Sequence, residues 1–175
     1  MNKRYDGILL CSDFDHTLSS CTHKWIEGGS IMDAVPKNNH VDMMLHSIAF
    51  APKAEGTLEG HFSDIPRDAW NVSLQVSAYS LIAMSRAVAP LMVNGGSITA
   101  LTYYASQKVV PNYNLMAVSK AALETCCKYL AYDLGRREAP IRVNCISAGP
   151  VQTLAARGVS GFTGMFKVYE EKAPL

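Results

Sequence analysis

Short apolar runs alternate with long helical patterns along this chain, and this alternation limits the fold more than any other feature. Apolar runs that predict buried strands lie at residues 7–12, 41–48, 97–102 and 141–147. Two long helices are predicted at residues 67–92 and 112–134, each followed by glycine. Their predicted buried face includes Val72, Val76, Tyr79, Leu115, Cys126 and Tyr129. Because strands that alternate with helices form βα units, we predict an α/β fold with a parallel sheet and flanking helices.

The carboxyl ends of the predicted strands indicate where the functional residues should lie. Right-handed crossovers place the carboxyl end of every parallel strand on one edge of the sheet. Open α/β folds bind their ligands at that edge. We therefore expect the functional residues in the loops after Ile48, Thr102 and Ser147.

Composition narrows the class of protein. The 175 residues, 49% of them hydrophobic, suffice for one globular domain with its own core. The 16 Lys and Arg residues nearly balance the 15 Asp and Glu residues, so we expect neither a nucleic-acid nor a membrane partner. The apolar runs are shorter than the roughly 18 residues of a membrane span, and no secretory signal is evident, so we expect a cytoplasmic protein. The five cysteines lack CxxC spacing, which predicts free thiols and no metal site.

Tyr113 and Lys120 lie seven residues apart in the second predicted helix. Seven helical residues turn through about 700° and rise about 10 Å, so both side chains should project from one face. A nearby ammonium favours the ionised form of a phenol, which makes it a better proton donor to a developing oxyanion. A helical Tyr and Lys at this spacing also occur by chance, so the pair alone fits packing as well as chemistry.

Several separated stretches carry a family pattern. They are HSIAFAPK at residues 46–53, SAYS at 77–80, GGSI at 95–98, LTYY at 101–104, VVPNYNLMAVSKAALE at 109–124, IRVNCISAGPVQTLAA at 141–156 and EKAPL at 171–175. From about residue 41 onward the chain resembles the NADH-dependent enoyl-acyl carrier protein reductases, a branch of the short-chain dehydrogenase/reductase superfamily. Those reductases space the Tyr and Lys seven apart, as here, whereas ordinary members space them four apart. The resemblance implies a Rossmann-like parallel sheet with flanking helices, incomplete because the family's first βαβ units and last strand have no counterpart.

The resemblance also assigns the catalytic residues. It implies that Tyr113 hydrogen-bonds the thioester carbonyl of a trans-2-enoyl substrate and that Lys120 holds the nicotinamide ribose of NADH. Hydride transfer to the β-carbon would leave an enolate, whose oxyanion is stabilised most where donors are already in place. Tyr103 would line the acyl pocket and assist the donor. Without the resemblance, Tyr103 fits a half-buried aromatic at the rim of a fold.

Further binding residues follow from the same resemblance. The residues expected to bind NADH are Ser47, Ile48, Ala49, Lys120, Gly149, Pro150, Val151 and Thr153. The residues expected to bind the acyl substrate are Ala51, Tyr103, Tyr113, Ala155, Phe162 and Met165. Plain core packing accounts for Phe162 and Met165 nearly as well. His46 is expected to be structural, as most single histidines are.

The first part of the chain departs from this pattern. We predict an atypical segment with one strand at residues 1–37 and the reductase-like Rossmann core at residues 38–175. The stretch ILLCSDFDHTL at residues 8–18 resembles motif one of the haloacid dehalogenase-like phosphatases, with Asp13, Asp15 and Thr17 after an apolar strand. There the first Asp is the nucleophile, the second is the acid/base, and Mg²⁺ joins both. The later motifs of those phosphatases have no counterpart.

Three functions therefore stand as hypotheses. The first is an NADH-dependent enoyl-acyl carrier protein reductase of fatty acid biosynthesis, acting on enoyl groups linked to acyl carrier protein. The resemblance implies a homotetramer in which residues 67–92 and 112–134 face neighbouring copies. The second is a non-catalytic α/β protein that persists as a subunit or remnant. The third is a Mg²⁺-dependent phosphatase, which requires Asp13.

Overall fold

The computed structural model describes residues 8–12, 40–149 and 171. Four parallel strands form one sheet in chain order, β1 to β4. They are β1 (Ile8–Ser12), β2 (Met43–Ser47), β3 (Gly96–Thr102) and β4 (Ile141–Ser147). The predicted α/β fold with a parallel sheet is confirmed, and each predicted run overlaps one strand. The run at residues 41–48 is longer than its strand, because Val41 already bonds through its N–H to Leu91 O rather than to a neighbouring strand.

The first predicted helix is helical throughout but not uniform. It consists of α1 (Arg67–Leu74), a π-helical turn (Gln75–Tyr79), α2 (Ser80–Val88) and a 3₁₀ turn (Ala89–Leu91). A π turn inside a longer helix rotates the residues that follow it and is frequent at functional sites. The turn here therefore changes which residues of α1 and α2 face the sheet.

The second predicted helix begins later than expected. Helix α3 spans Asn114–Leu134 and is followed by Gly135. Tyr113 is its N-cap, with φ −130° and ψ 20°, and Asn112 before it has a left-handed φ of 60°. The prediction that Tyr113 lies within the helix is wrong. The reason is local, since a left-handed residue cannot extend the helix backward.

The hydrophobic core lies between the sheet and helices α2 and α3. Met44, Ile98 and Val143 from the strands pack with side chains of α2 and α3, which include Leu81, Met84, Val88, Leu123 and Cys127. Leu81 and Leu123 are fully buried, and each such side chain stabilises the fold by about 1.5–3 kcal/mol relative to an exposed one. The packing therefore fixes both helices against the sheet.

The buried faces of the helices differ from the predicted ones. Tyr79 is 42% exposed and Tyr129 is 71% exposed, although periodicity placed both on the buried face. The positions that face inward from α1 to α2 include Ser73, Ser77 and Ser85. A helix with one apolar stripe toward solvent and small hydroxyl residues toward the core cannot be oriented from periodicity alone.

Within the described ranges, no helix is both long enough and apolar enough to cross a membrane. The same residues contain no group of three or more His, Cys, Asp or Glu side chains placed to hold a metal ion. Cys126, Cys127 and Cys145 are free thiols, as predicted for these three positions.

Candidate active site

The carboxyl ends of the strands meet at one edge of the sheet. Thr102 at the end of β3 is in register with Ser147 at the end of β4, and Ser12 of β1 is in register with Ser47 of β2. The segments that follow these strands carry many of the predicted site residues. Those within the described part of the chain are Ile48, Ala49, Ala51, Tyr103 and Gly149. The parallel topology thus brings together residues that are distant in the sequence.

Tyr103 and Tyr113 form a ring pair. Their centroids lie 4.9 Å apart at an interplanar angle of 66°, an edge-to-face arrangement that aromatic rings favour. Burial raises the pKa of Tyr113 to about 12. The expectation that the Lys120 ammonium makes this phenol more acidic is therefore wrong, because loss of solvent around Tyr113 dominates. The phenol is neutral near pH 7, and its O–H is available as a hydrogen-bond donor.

The loop after β2 fixes the start of α3, and with it Tyr113. Leu115 N donates to Thr57 O at 2.9 Å, and the Asn114 side-chain amide donates to Gly56 O at 3.1 Å. Gly56 has a positive φ of 71°, and a Cβ there would lie 2.5 Å from His61 O. Only glycine fits this turn without strain. The loop therefore supplies hydrogen-bond acceptors at the N-terminus of α3, where the first N–H groups have no partner within the helix.

Lys120 is almost completely buried, with 7% of its surface exposed. Its Nζ donates to Leu101 O at 2.8 Å, near the end of β3. Burial lowers the pKa of Lys120 to about 8, and the nearby Cys145 and Glu124 oppose part of that shift. An ammonium with this pKa is still mostly charged near pH 7. The site therefore holds a positive charge at the carboxyl edge of the sheet.

His46 is a fully buried, neutral imidazole in β2. Its Nε2 lies 2.8 Å from Ser80 Oγ in α2. Burial, and to a smaller extent the charge of Lys120, lower the pKa of His46 to about 3. The His46 ring stays neutral near pH 7 and links β2 to α2 through Ser80, which supports the structural role expected for it.

A set of buried serines holds the loop after β2, and sequence reasoning missed it. Ser77 Oγ accepts from Phe50 N at 2.9 Å, and Ser73 Oγ donates to Phe50 O at 3.0 Å. Ser73 Oγ also lies 3.0 Å from Ser119 Oγ of α3. Ser73 and Ser77 thus hold the backbone of Phe50, between the predicted residues Ala49 and Ala51, and Ser73 links it to Ser119 of α3. The only signal in the sequence was the recurrence of serine at helical spacing, which composition does not distinguish from a solvent face.

Glu124 is a second residue that sequence reasoning missed. Its Oε1 accepts from Thr102 Oγ1 at 2.7 Å and from Ser106 Oγ at 2.6 Å. Thr102 ends β3, and Ser106 ends the 3₁₀ turn (Tyr104–Ser106) that follows Tyr103. The carboxylate therefore joins α3 to both sides of Tyr103.

The remaining predicted residues lie outside the described part of the chain. They are Pro150, Val151, Thr153, Ala155, Phe162 and Met165, together with Asp13, Asp15 and Thr17 of the phosphatase-like motif. The predicted boundary between residues 37 and 38 also lies there. These assignments stay predictions.

A parallel α/β sheet that carries a tyrosine and a buried lysine at its carboxyl edge is typical of proteins of the short-chain dehydrogenase/reductase type. The sequence model of the family described as Enoyl-(Acyl carrier protein) reductase matches residues 29–175. The chain belongs to this family. The predicted family resemblance is confirmed.

Named relatives agree with this assignment. The chain is 50% identical over 143 residues to the enoyl-[acyl-carrier-protein] reductase [NADH] FabI of Rickettsia prowazekii, an alignment of 82% of this chain and 53% of that protein. It is 49% identical over 174 residues to the Bacillus subtilis protein of the same name, covering 98% of this chain and 62% of that one. The chain thus spans about half to three fifths of the length of these relatives.

Solved structures show the same fold. The Bacillus cereus enoyl-acyl carrier protein reductase, solved with NADP⁺ and indole naphthyridinone, superposes with a TM-score of 0.74 at 39% identity, covering 94% of this chain and 60% of that one. The Anaplasma phagocytophilum reductase, solved in complex with NAD, gives a TM-score of 0.72 at 35% identity, covering 96% and 69%.

Proposed function

We propose that this chain is an NADH-dependent enoyl-acyl carrier protein reductase of fatty acid biosynthesis, acting on trans-2-enoyl thioesters. The observation that carries the proposal is the Tyr103 and Tyr113 ring pair at the carboxyl edge of the sheet, on the elements that Lys120 joins. Family membership supports the same reaction class. This chain spans only part of its relatives' length, so the complete reductase activity is itself part of the proposal.

Tyr113 would act as the hydrogen-bond donor to the thioester carbonyl. Its raised pKa keeps the proton on the phenol near pH 7, so the O–H can point at the oxygen where negative charge develops. Tyr103 packs its ring against Tyr113 and restricts the orientations that the phenol can adopt. When the β-carbon accepts hydride, the carbonyl oxygen becomes an enolate oxygen, and this preset donor stabilises it most at that point.

The described residues fit a dinucleotide beside this donor. Among them, Leu101 O takes one of the three N–H donors of the Lys120 ammonium, so this side chain can also donate to ribose hydroxyls. Ser47 ends β2, and Ile48, Ala49 and Gly149 follow strands that end at the same edge. NADH, when bound, supplies the hydride. Pro150, Val151 and Thr153 are proposed to complete that site, and Ala51, Ala155, Phe162 and Met165 the acyl site.

Exposed aromatic residues support a homo-oligomer. Tyr79 lies in the π turn, and Tyr129 and Tyr132 lie on α3, all with exposed side chains. Large apolar groups that face solvent on long helices often mark protein interfaces. We propose a tetramer that buries these helix faces between copies of the chain in the cytoplasm.

Turnover of NADH with a crotonyl or dodecenoyl thioester tests the reductase proposal. The wild-type chain should oxidise NADH only when the thioester is present. Tyr113→Phe keeps the ring and removes the donor, so it should lower kcat by about 100-fold, the lower end of what a positioned donor contributes, with NADH affinity nearly unchanged. Tyr132→Phe is the matched control, because Tyr132 is exposed and far along α3.

The result that would overturn the proposal is an intact, folded chain that binds NADH and the thioester but does not transfer hydride. A folded oligomer without NADH affinity would instead favour the non-catalytic subunit hypothesis. Calorimetric titration with NADH separates these two outcomes. It measures binding whether or not turnover occurs.

A further inference from the structure

Two residues of α3, one helical turn apart, hold the end of β3. Lys120 Nζ bonds to Leu101 O at 2.8 Å, and Glu124 Oε1 accepts from Thr102 Oγ1 at 2.7 Å. Residues four apart lie on the same face of a helix, so this pair acts at a single place. Leu101 and Thr102 immediately precede Tyr103. The helix is therefore fastened to the strand directly before that ring.

The same carboxylate oxygen also holds the segment directly after Tyr103. Ser106 Oγ donates to Glu124 Oε1 at 2.6 Å. Ser106 N donates to Tyr103 O at 3.0 Å, which closes the short 3₁₀ turn (Tyr104–Ser106). The hydroxyls of Thr102 and Ser106, on either side of Tyr103, thus both donate to Glu124 Oε1. A single side chain of α3 closes a loop of five residues around Tyr103.

We propose that Glu124 is a positioning residue of the active site, which clamps the Tyr103 segment against the helix that carries Lys120. The proposal rests on the proposed function, because positioning matters only if Tyr103 and Tyr113 act on a substrate. Glu124 does not touch the reacting atoms. It acts through Thr102 and Ser106 on the ring pair, whose centroids are 4.9 Å apart.

The chemistry of the contact explains why a carboxylate is required. Hydrogen bonds from hydroxyls to an ionised oxygen are shorter and about twice as strong as neutral ones. Distances of 2.6 and 2.7 Å lie in that range. The titratable groups near Glu124 are Lys120 on its own helix and the thiols of Cys127 and Cys145.

Three variants isolate the clamp. Glu124→Ala removes the acceptor, and Glu124→Gln keeps an acceptor oxygen of the same reach without the charge. Ser106→Ala removes one donor and leaves Glu124 and Lys120 unchanged. Asp133→Ala is the matched control, because it removes an exposed acid from the same helix.

The first readout is kinetic. Glu124→Ala should lower kcat by about tenfold, the scale of a lost hydrogen bond to a charged group, while KM for NADH changes by less than about twofold. Glu124→Gln should recover only part of that loss, because a neutral amide oxygen accepts weaker hydrogen bonds than a carboxylate oxygen does. Ser106→Ala should lower kcat in the wild-type background and have almost no further effect in Glu124→Ala, because both changes break the same contact. If Glu124 had a structural role alone, Glu124→Ala would lower the melting temperature without lowering kcat selectively relative to KM.

The second readout does not depend on activity. Hydrogen–deuterium exchange of a peptide covering residues 102–107 should be faster in Glu124→Ala than in the wild type, and unchanged in Asp133→Ala. Exchange reports local opening of the clamped turn. It can be measured even in a chain that does not turn over substrate.

The outcomes separate the two proposals. If the wild type is inactive but residues 102–107 lose protection in Glu124→Ala, the reductase function fails and the clamp stands. If the wild type is active and Glu124→Ala retains both its kcat and the protection of this segment, the clamp is refuted and the reductase function stands. Loss of thermal stability with kcat and KM unchanged also overturns the positioning role.

Discussion

The burial of Lys120 gives a quantitative prediction for the stability of the fold. The pKa of this ammonium is lowered from 10.5 to about 8, mainly because burial removes water from the charged form. Between these two pH values the unfolded chain binds more protons at Lys120 than the folded chain does. The free energy of unfolding therefore rises with pH across this window.

The magnitude follows from the two pKa values. From about pH 7 to about pH 10 the Lys120 contribution to the free energy of unfolding should increase by about 2.5 kcal/mol. Lys120→Met keeps the volume and removes the titration, so it should lack this increase. Below about pH 8 the wild type bears the cost of a buried charge, which a methionine avoids. The same charge is what the proposed site requires to hold a ribose.

Urea unfolding of both proteins at several pH values measures this difference. Subtracting the Met variant from the wild type removes the contribution of Tyr113, whose pKa shift comes from burial and not from Lys120. The free energy of unfolding of Lys120→Met minus that of the wild type should shrink or change sign as pH rises from about 7 to about 10. Two parallel curves would refute the argument, because they would mean that Lys120 has the same pKa in the folded and unfolded chain.

Two further predictions concern other parts of the chain. Ser73→Ala removes a hydroxyl that contacts both Phe50 O and Ser119 Oγ, so it should lower the free energy of unfolding by about 1–3 kcal/mol. Ser63 is exposed, and Ser63→Ala should change the free energy of unfolding by less than about 0.5 kcal/mol. Equal effects of the two variants in urea unfolding would contradict this account. If the phosphatase-like motif is active, the chain should hydrolyse a generic phosphate ester with Mg²⁺, and Asp13→Asn should abolish that activity. Hydrolysis that survives Asp13→Asn would eliminate the phosphatase hypothesis.

The sequence predicted the elements well, because their signals are local. The apolar run at residues 141–147 forms β4 with the predicted bounds, and the long second helix ends at Leu134 as expected. Periodicity was a poorer guide to which helix residues face the core. Tyr129 was placed inward and is 71% exposed, since an apolar residue alone does not reveal whether the core or solvent lies beside it.

The site was predictable only where a family pattern marked it. Tyr103, Tyr113 and Lys120 were assigned in advance, yet the pKa shift of Tyr113 was expected in the wrong direction. The direction depends on how much solvent the fold removes and how close the charges lie, which spacing does not show. Glu124 ends one of the family stretches but was given no role there, because its contacts are with two hydroxyls 22 and 18 residues away.

The order of strands and helices along the chain, the spacing of Tyr113 and Lys120, and the family resemblance could all be read from the sequence. These properties depend on near neighbours along the chain and on residue identity. In contrast, the cap that Tyr113 forms on α3, the burial of Lys120 against Leu101 O, and the contacts of Glu124 and the serines with the loops became visible in the folded structure. Burial and hydrogen bonding are properties of atoms brought together from distant positions, so they exist only after the sheet and helices have packed.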